Sequence, residues 1–149
     1  MTLTEAQLPE TASINYADEI ETVIAGMAEE GKVMFGQGEA GYLWKFKYGT
    51  VGVFVQLTGQ TDDDTFRVWS PVLPLPAKNE PELMRLLLQM NWEQTFEARY
   101  AIVDQEVIVV ASRTVADLSP VEISRSITIV ATLADDSDEP LAEEFGISN

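Results

Sequence analysis

The chain reads as an α+β fold: an antiparallel sheet of about five strands with three helices, in the order α-β-β-β-α-β-β-α. Three observations predict it. Apolar residues recur at helical spacing in three separated segments, and between those segments they alternate with a period of two. Two-residue links, Gly49-Thr50 and Asp104-Gln105, join neighbouring alternating runs as hairpins do.

The first helix is carried by Ile20, Val23, Ile24 and Met27, which stand at the i, i+3, i+4, i+7 positions of one face. Asn15 supplies an N-cap oxygen, Asp18 and Glu19 suit the positive end of the helix dipole, and Gly31 suits a left-handed stop. The expected span is about Tyr16 to Glu30. From Tyr42 to Tyr48 four aromatics alternate with Leu43, Lys45 and Lys47, so the two sets face opposite sides of a strand. Val51 to Leu57 is the returning strand, and Phe66 to Leu73 a third one, reached through the polar stretch Gly59 to Asp64. Pro71, Pro74 and Pro76 lack the donor that a ladder needs, which places this strand at an edge or leaving the sheet.

Asn79 as cap, Pro81 in the first turn, and Glu80 and Glu82 beside them open a second helix that runs to Met90. Its interior is apolar on more than one face, with Arg85 and Gln89 as the only polar interruptions. Ala98 to Val103 and Val107 to Ser112 form a further strand pair. Ser119-Pro120-Val121-Glu122 is a capping box with proline at N1, and Leu118 and Ile123 are placed as a hydrophobic staple. The body of this third segment, Ile123 to Leu133, is β-branched and also fits alternation, so a strand is the alternative there; the cap decides for helix. Asp135 to Glu144 is acidic and poor in apolar residues, which reads as a solvated helix extension or a frayed tail. The whole chain, 1–149, is read as one domain, with about 1–14 and 135–149 as flexible ends.

Composition narrows the function classes. With 25 acidic against 9 basic residues the formal charge is -16, which repels nucleic-acid backbones and anionic lipid and leaves neither as a partner. No apolar run approaches the roughly 20 residues needed to cross a bilayer, so no membrane association is expected and the cytoplasm is the default location. Cysteine is absent, which removes disulfides and thiolate metal sites. Histidine is absent too, which removes the commonest general acid/base, the commonest neutral metal ligand and every Ser-His triad. No enzyme activity, cofactor or metal is expected.

Two local motifs reduce to turns. Gly36-Gln37-Gly38-Glu39-Ala40-Gly41 matches the dinucleotide pattern G-x-G-x-x-G, but a strand and not a helix follows it, and Glu39 puts negative charge where a phosphate would lie. Asp62-Asp63-Asp64 lacks the later ligands and the glycine of a calcium loop, so it is read as a solvated hairpin tip. Trp44, Trp69 and Trp92 are read as core residues or as anchors for a partner. Trp69 is the better anchor because alternation puts it on one face with Arg67, whereas Trp44 shares its face with three aromatics.

The order of elements resembles the YbjN family and its structural relatives, the class I type III secretion chaperones. The resemblance spans roughly Asn15 to Gly146. It rests on Leu86-Leu87-Leu88-Gln89-Met90-Asn91, the hairpin around Asp104-Gln105, Leu118-Ser119-Pro120-Val121-Glu122 and the ending Pro140-Leu141-Ala142-Glu143-Glu144-Phe145-Gly146. Where Gln105 stands, a YbjN hairpin usually has glycine. The resemblance implies a cytoplasmic homodimer without enzymatic activity, and from the chaperones it implies apolar patches on the sheet and first helix that hold an extended client segment.

The resulting expectation is a non-enzymatic protein-binding module, chaperone-like or regulatory, with a small-molecule-binding regulatory domain as the alternative. Partners are expected on the outward sheet face near Arg67 and Trp69, or beside the first helix, because three helices cover only part of such a sheet. The competing placement for Trp69 is under the second helix. The surplus apolar surface of that helix makes Leu83, Leu87 and Leu88 the candidates for a homodimer interface.

Overall fold

The computed structural model describes residues 15–28 and 31–147. Along these the elements are α1 (Tyr16–Met27), β1 (Val33–Gly38), β2 (Gly41–Tyr48), β3 (Val51–Leu57), β4 (Thr65–Pro74), α2 (Glu80–Glu93), β5 (Arg99–Val103), β6 (Glu106–Thr114) and α3 (Pro120–Phe145). The strands form one antiparallel sheet in the order β1-β2-β3-β4-β6-β5. It has six strands where the sequence suggests about five. The expectation of flexibility at 1–14 lies outside the described residues.

The additional strand is β1, and it absorbs the glycine motif. Gly38 pairs with Gly41 across the turn residues Glu39 and Ala40, so the motif is a hairpin. Gly41 has φ +94, and a Cβ there would lie 2.3 Å from the Leu57 carbonyl oxygen. Its glycine therefore lets β2 begin hard against the end of β3.

α1 starts as expected, with the Asn15 side chain accepting the Asp18 N–H at 3.1 Å. It ends at Met27, with Ala28 as its C-cap. α3 carries the full capping box: the Glu122 N–H donates to Ser119 Oγ at 3.1 Å, and the Ser119 N–H donates to Glu122 Oε1 at 3.2 Å. Its β-branched body is helical because Ile123, Ile127, Val130, Ala131, Ala134, Ser137, Leu141 and Phe145 form one buried stripe. That stripe runs on through the acidic segment, where Asp135 and Asp138 reach the β2–β3 hairpin. The Thr50 N–H donates to Asp135 Oδ1 at 2.9 Å and its hydroxyl donates to Asp138 Oδ2 at 2.8 Å. Gly49 has φ +58, and a Cβ there would lie 2.1 Å from the Asp135 carboxylate, so only glycine fits between hairpin and helix.

α2 opens differently from its expected cap. Asn79 is left-handed, at φ 49, and makes no side-chain cap bond. Instead the Glu80 carboxylate accepts the Ala77 N–H at 2.8 Å, while the Asn79 carbonyl accepts the Leu83 N–H.

β4 lies inside the sheet, between β3 and β6, not at an edge. Its prolines are tolerated because the paired register with β3 ends at Phe54 and Trp69, while pairing with β6 continues to Pro74 through an irregularity at Pro71–Leu73. Where that register ends, the buried Ser70 hydroxyl donates to the Gly52 carbonyl at 2.7 Å.

α3 packs on β2, β3, β4 and β6, α1 on α3 and β2, and α2 on β5. Their apolar faces and the inward side chains of the strands, from Trp44 and Phe46 through Val53, Val55, Phe66 and Val68 to Val107 and Val109, make one cluster. At the α2 end Tyr100 is pinned: its phenol hydrogen-bonds Ser137 Oγ at 2.7 Å, and the Asn91 side chain brackets its backbone N–H and C=O. Burial pushes the Tyr100 phenol upward, partly opposed by that Ser137 bond.

Candidate functional site

The three helices share one face of the sheet, and among the described residues nothing is packed over the other, which is bare. Alternation fixes its lining: Leu43, Lys45 and Lys47 from β2; Phe54 and Gln56 from β3; Arg67, Trp69 and Pro71 from β4; Glu106, Ile108, Val110 and Ser112 from β6; Arg99, Ala101 and Val103 from β5. Strand order brings these sequence-distant residues together. The register lines up Met34, Lys45, Phe54, Trp69, Val110 and Arg99 in a single row across all six strands.

At the centre of that row Phe54 and Trp69 stack, with ring centroids 5.3 Å apart and planes 7° from parallel. The Lys45 ammonium stands 5.2 Å from the Phe54 ring centroid, a cation–π contact. One register step away Arg67 donates to Gln56 Oε1 at 3.4 Å. Beside Trp69 the face dips into an open groove of about 450 Å³, with Trp69, Pro71, Ala101, Ile108 and Val110 as apolar walls and Arg67, Asp104 and Glu106 as its charged lining. Ile108 is buried there although it lies apart from the main core cluster.

Charge is unevenly distributed. The six strands hold five cations, Lys45, Lys47, Arg67, Arg99 and Arg113, and a single carboxylate, Glu106. Every other acidic residue of this -16 chain lies outside them. Arg113 points to the helical side and pairs with Glu122, and Arg125 of α3 pairs with Glu97. The Arg125 guanidinium holds the Glu97 carboxyl below the ordinary value. The four cations of the bare face are exposed and have no carboxylate within ion-pair distance among the described residues.

Arg67 and Trp69 thus stand together on the uncovered face, and Trp69 is not under α2. Of the three leucines considered for a dimer, Leu83 and Leu87 lie in the chain's own core, at 0% and 5% exposure, while Leu88 is 69% exposed. The two buried leucines therefore have no surface to offer a partner in this conformation. Trp92, one turn beyond Leu88, is 89% exposed, and Phe96 after the helix end is 79% exposed. Sequence reasoning missed Phe54, Lys45 and Arg99, whose relation to Trp69 depends on strand order. The signal within reach was the charge count taken strand by strand.

Among the described residues no group of His, Cys, Asp or Glu is placed to hold a metal ion, and no helix is long and apolar enough to cross a membrane. Asp64, from the acidic triplet, accepts hydrogen bonds from Thr58 and Thr61 within its own loop.

The family model YbjN, described as "Putative bacterial sensory transduction regulator", matches residues 16–143. No curated protein matches the sequence. Among solved structures, the chain is similar to one of the Yersinia pestis type III secretion chaperone SycH in complex with a stable fragment of YscM2. That match has a TM-score of 0.54 and 13% identity and covers 83% of this chain and 99% of the other. It is also similar to a chain in the HopA1–SchA chaperone–effector complex, with a TM-score of 0.57, 9% identity and coverage of 83% and 93%. At these identities the likeness is one of fold.

Proposed function

The chain belongs to the YbjN family, and from that premise we propose that it is a non-enzymatic protein-binding module, chaperone-like or regulatory, acting in the cytoplasm on an extended segment of a protein partner. The observation that carries this reading is the bare sheet face, where the Phe54–Trp69 stack borders an open apolar groove. Burying such aromatic surface is what partner association rewards, and Trp and Arg are the residue types that dominate contact energies. One fold neighbour belongs to a complex of a secretion chaperone with a protein fragment and the other to a chaperone–effector complex, which supports the same use of the fold here. The absence of histidine and cysteine from the sequence supports the non-enzymatic part.

The test is affinity capture from the native cell extract with three baits: wild type, Trp69→Ala and Arg67→Glu. A partner retained by wild type and lost from both variants, each still folded at the assay temperature, is the expected outcome. Equal retention by all three would remove this face from consideration.

The same reading includes a homodimer built on the outer side of α2, where Leu88 and Trp92 lie one helical turn apart. Sedimentation at micromolar concentration should give about twice the 16.5 kDa chain mass, and Trp92→Ala should halve it. A wild-type monomer would overturn the dimer and leave the docking face untouched.

A further inference from the structure

We propose that the segment held on the bare face is acidic: an extended run with a bulky apolar residue at its centre and carboxylates on both sides, about six residues apart. The inference rests on the docking reading above and adds the chemistry of what docks.

It follows from the row that crosses the sheet. Lys45 and Arg99 stand on either side of Phe54, Trp69 and Val110, on strands four spacings apart. That separation is roughly 19 Å, which an extended chain covers in about six residues. Arg67 and Lys47 add positive charge one register step to either side of the row. An apolar side chain seated beside Trp69 therefore places its flanking residues near cations in both directions.

Four of the nine basic residues of the chain meet on this one face. On the helical side Arg113 and Arg125 stand in ion pairs and Arg85 of α2 does not, while the bare face carries one strand carboxylate, Glu106, and leaves its four cations without carboxylate partners among the described residues. A basic ligand would meet them as like charges, and a neutral one would cover them without compensation. Asp104 and Glu106 in the groove lining offset part of this positive charge and leave the face with an excess of cations, and the rest of the overall charge of -16 does not cancel the preference, because at physiological salt charges beyond about 8 Å are largely screened. The same overall charge separates a peptide from nucleic acid: a few carboxylates match four cations, whereas a continuous polyanion must also pass the acidic helices and loops.

The chain, immobilised, is offered a random dodecapeptide library. A second bait carries Lys45→Glu, Arg67→Glu and Arg99→Glu, a third the corresponding Gln changes, and a fourth Trp69→Ala. Wild type should enrich sequences with Asp or Glu on both sides of an aromatic or branched apolar residue. Anisotropy of the recovered peptides should show affinity falling about tenfold between roughly 50 and 500 mM salt, and about threefold for each cation replaced by Gln. The Glu bait should lose these sequences and select basic ones. Neutral or basic enrichment by wild type, or salt-independent affinity, would overturn the acidic ligand while leaving the docking face standing. No enrichment above the Trp69→Ala bait would overturn the docking reading itself. A fluorescein-labelled oligothymidylate bound more tightly than the best peptide would overturn the choice of a peptide ligand.

Discussion

The two faces of the sheet are built from the same strands and differ by one residue of register. On the helical face β3 presents Val51, Val53, Val55 and Leu57, all buried, and on the other it presents Gly52, Phe54 and Gln56, all half-buried. β2 repeats the contrast, with Trp44 and Phe46 inside against Leu43, Lys45 and Lys47 outside. Apolar content alone does not separate the faces, since Trp69, Phe54, Ile108 and Val110 belong to the bare one. What separates them is coverage and charge. Three helices bury one face, while the other keeps its aromatics at the surface among four cations that have no carboxylate partners among the described residues. A sheet left bare on one side must present its own residues to water or to a partner.

The largest expected effect tests whether the faces differ energetically. Ile127 lies fully buried in the α3 stripe, so Ile127→Ala should cost about 2 to 5 kcal/mol through lost transfer energy and the cavity left behind. Trp69→Ala removes a larger side chain but leaves no enclosed cavity. It should cost about 1 kcal/mol, chiefly from the lost stack on Phe54. Urea unfolding of both variants against wild type measures the contrast. If Trp69→Ala matches or exceeds Ile127→Ala, the bare face is part of the core and its reading as a docking surface fails.

Much of this contrast was legible from the sequence because alternation reports facing directly. Arg67 and Trp69 followed from a period of two, and α3 followed from Ser119, Pro120 and Glu122 against the β-branched bias of its body. β1 was hidden because three of the six residues around its hairpin are glycine and no alternating run marks Val33 to Gly38. The interior position of β4 was hidden because prolines are compatible with a central strand once pairing on one side stops, here beyond Trp69. The α2 surplus was correctly read as more apolar surface than one face can bury. Which leucines lie outward depended on how α2 leans on β5, and Leu88 with Trp92 turned out to be the exposed pair. The acidic segment after Ala134 looked solvated because its role is long-range: Asp135 and Asp138 hold Thr50 across 85 and 88 residues of chain. Likewise Asn91 brackets the backbone of Tyr100, a contact that no local pattern announces.

The smallest expected effect lies off both faces, in the loop between β3 and β4, and concerns pH. The Asp64 carboxylate accepts the Thr61 hydroxyl at 2.7 Å, the Thr61 N–H at 3.0 Å and the Thr58 hydroxyl at 2.9 Å. These bonds to the charged form, those from Thr61 foremost, hold its pKa below the ordinary value of 3.8 and outweigh the opposing effect of burial. A lowered pKa means that the unfolded chain takes up the proton more readily than the folded one. The contribution of Asp64 is therefore fully present above the unfolded value and is lost as pH falls through the lower folded value. Urea midpoints of wild type and Asp64→Ala should differ by a constant amount from pH 7 to about pH 5 and converge only below the ordinary carboxylate range. A midpoint difference that widens on acidification would show that Asp64 is held in its protonated form, and the loop would then need a different account.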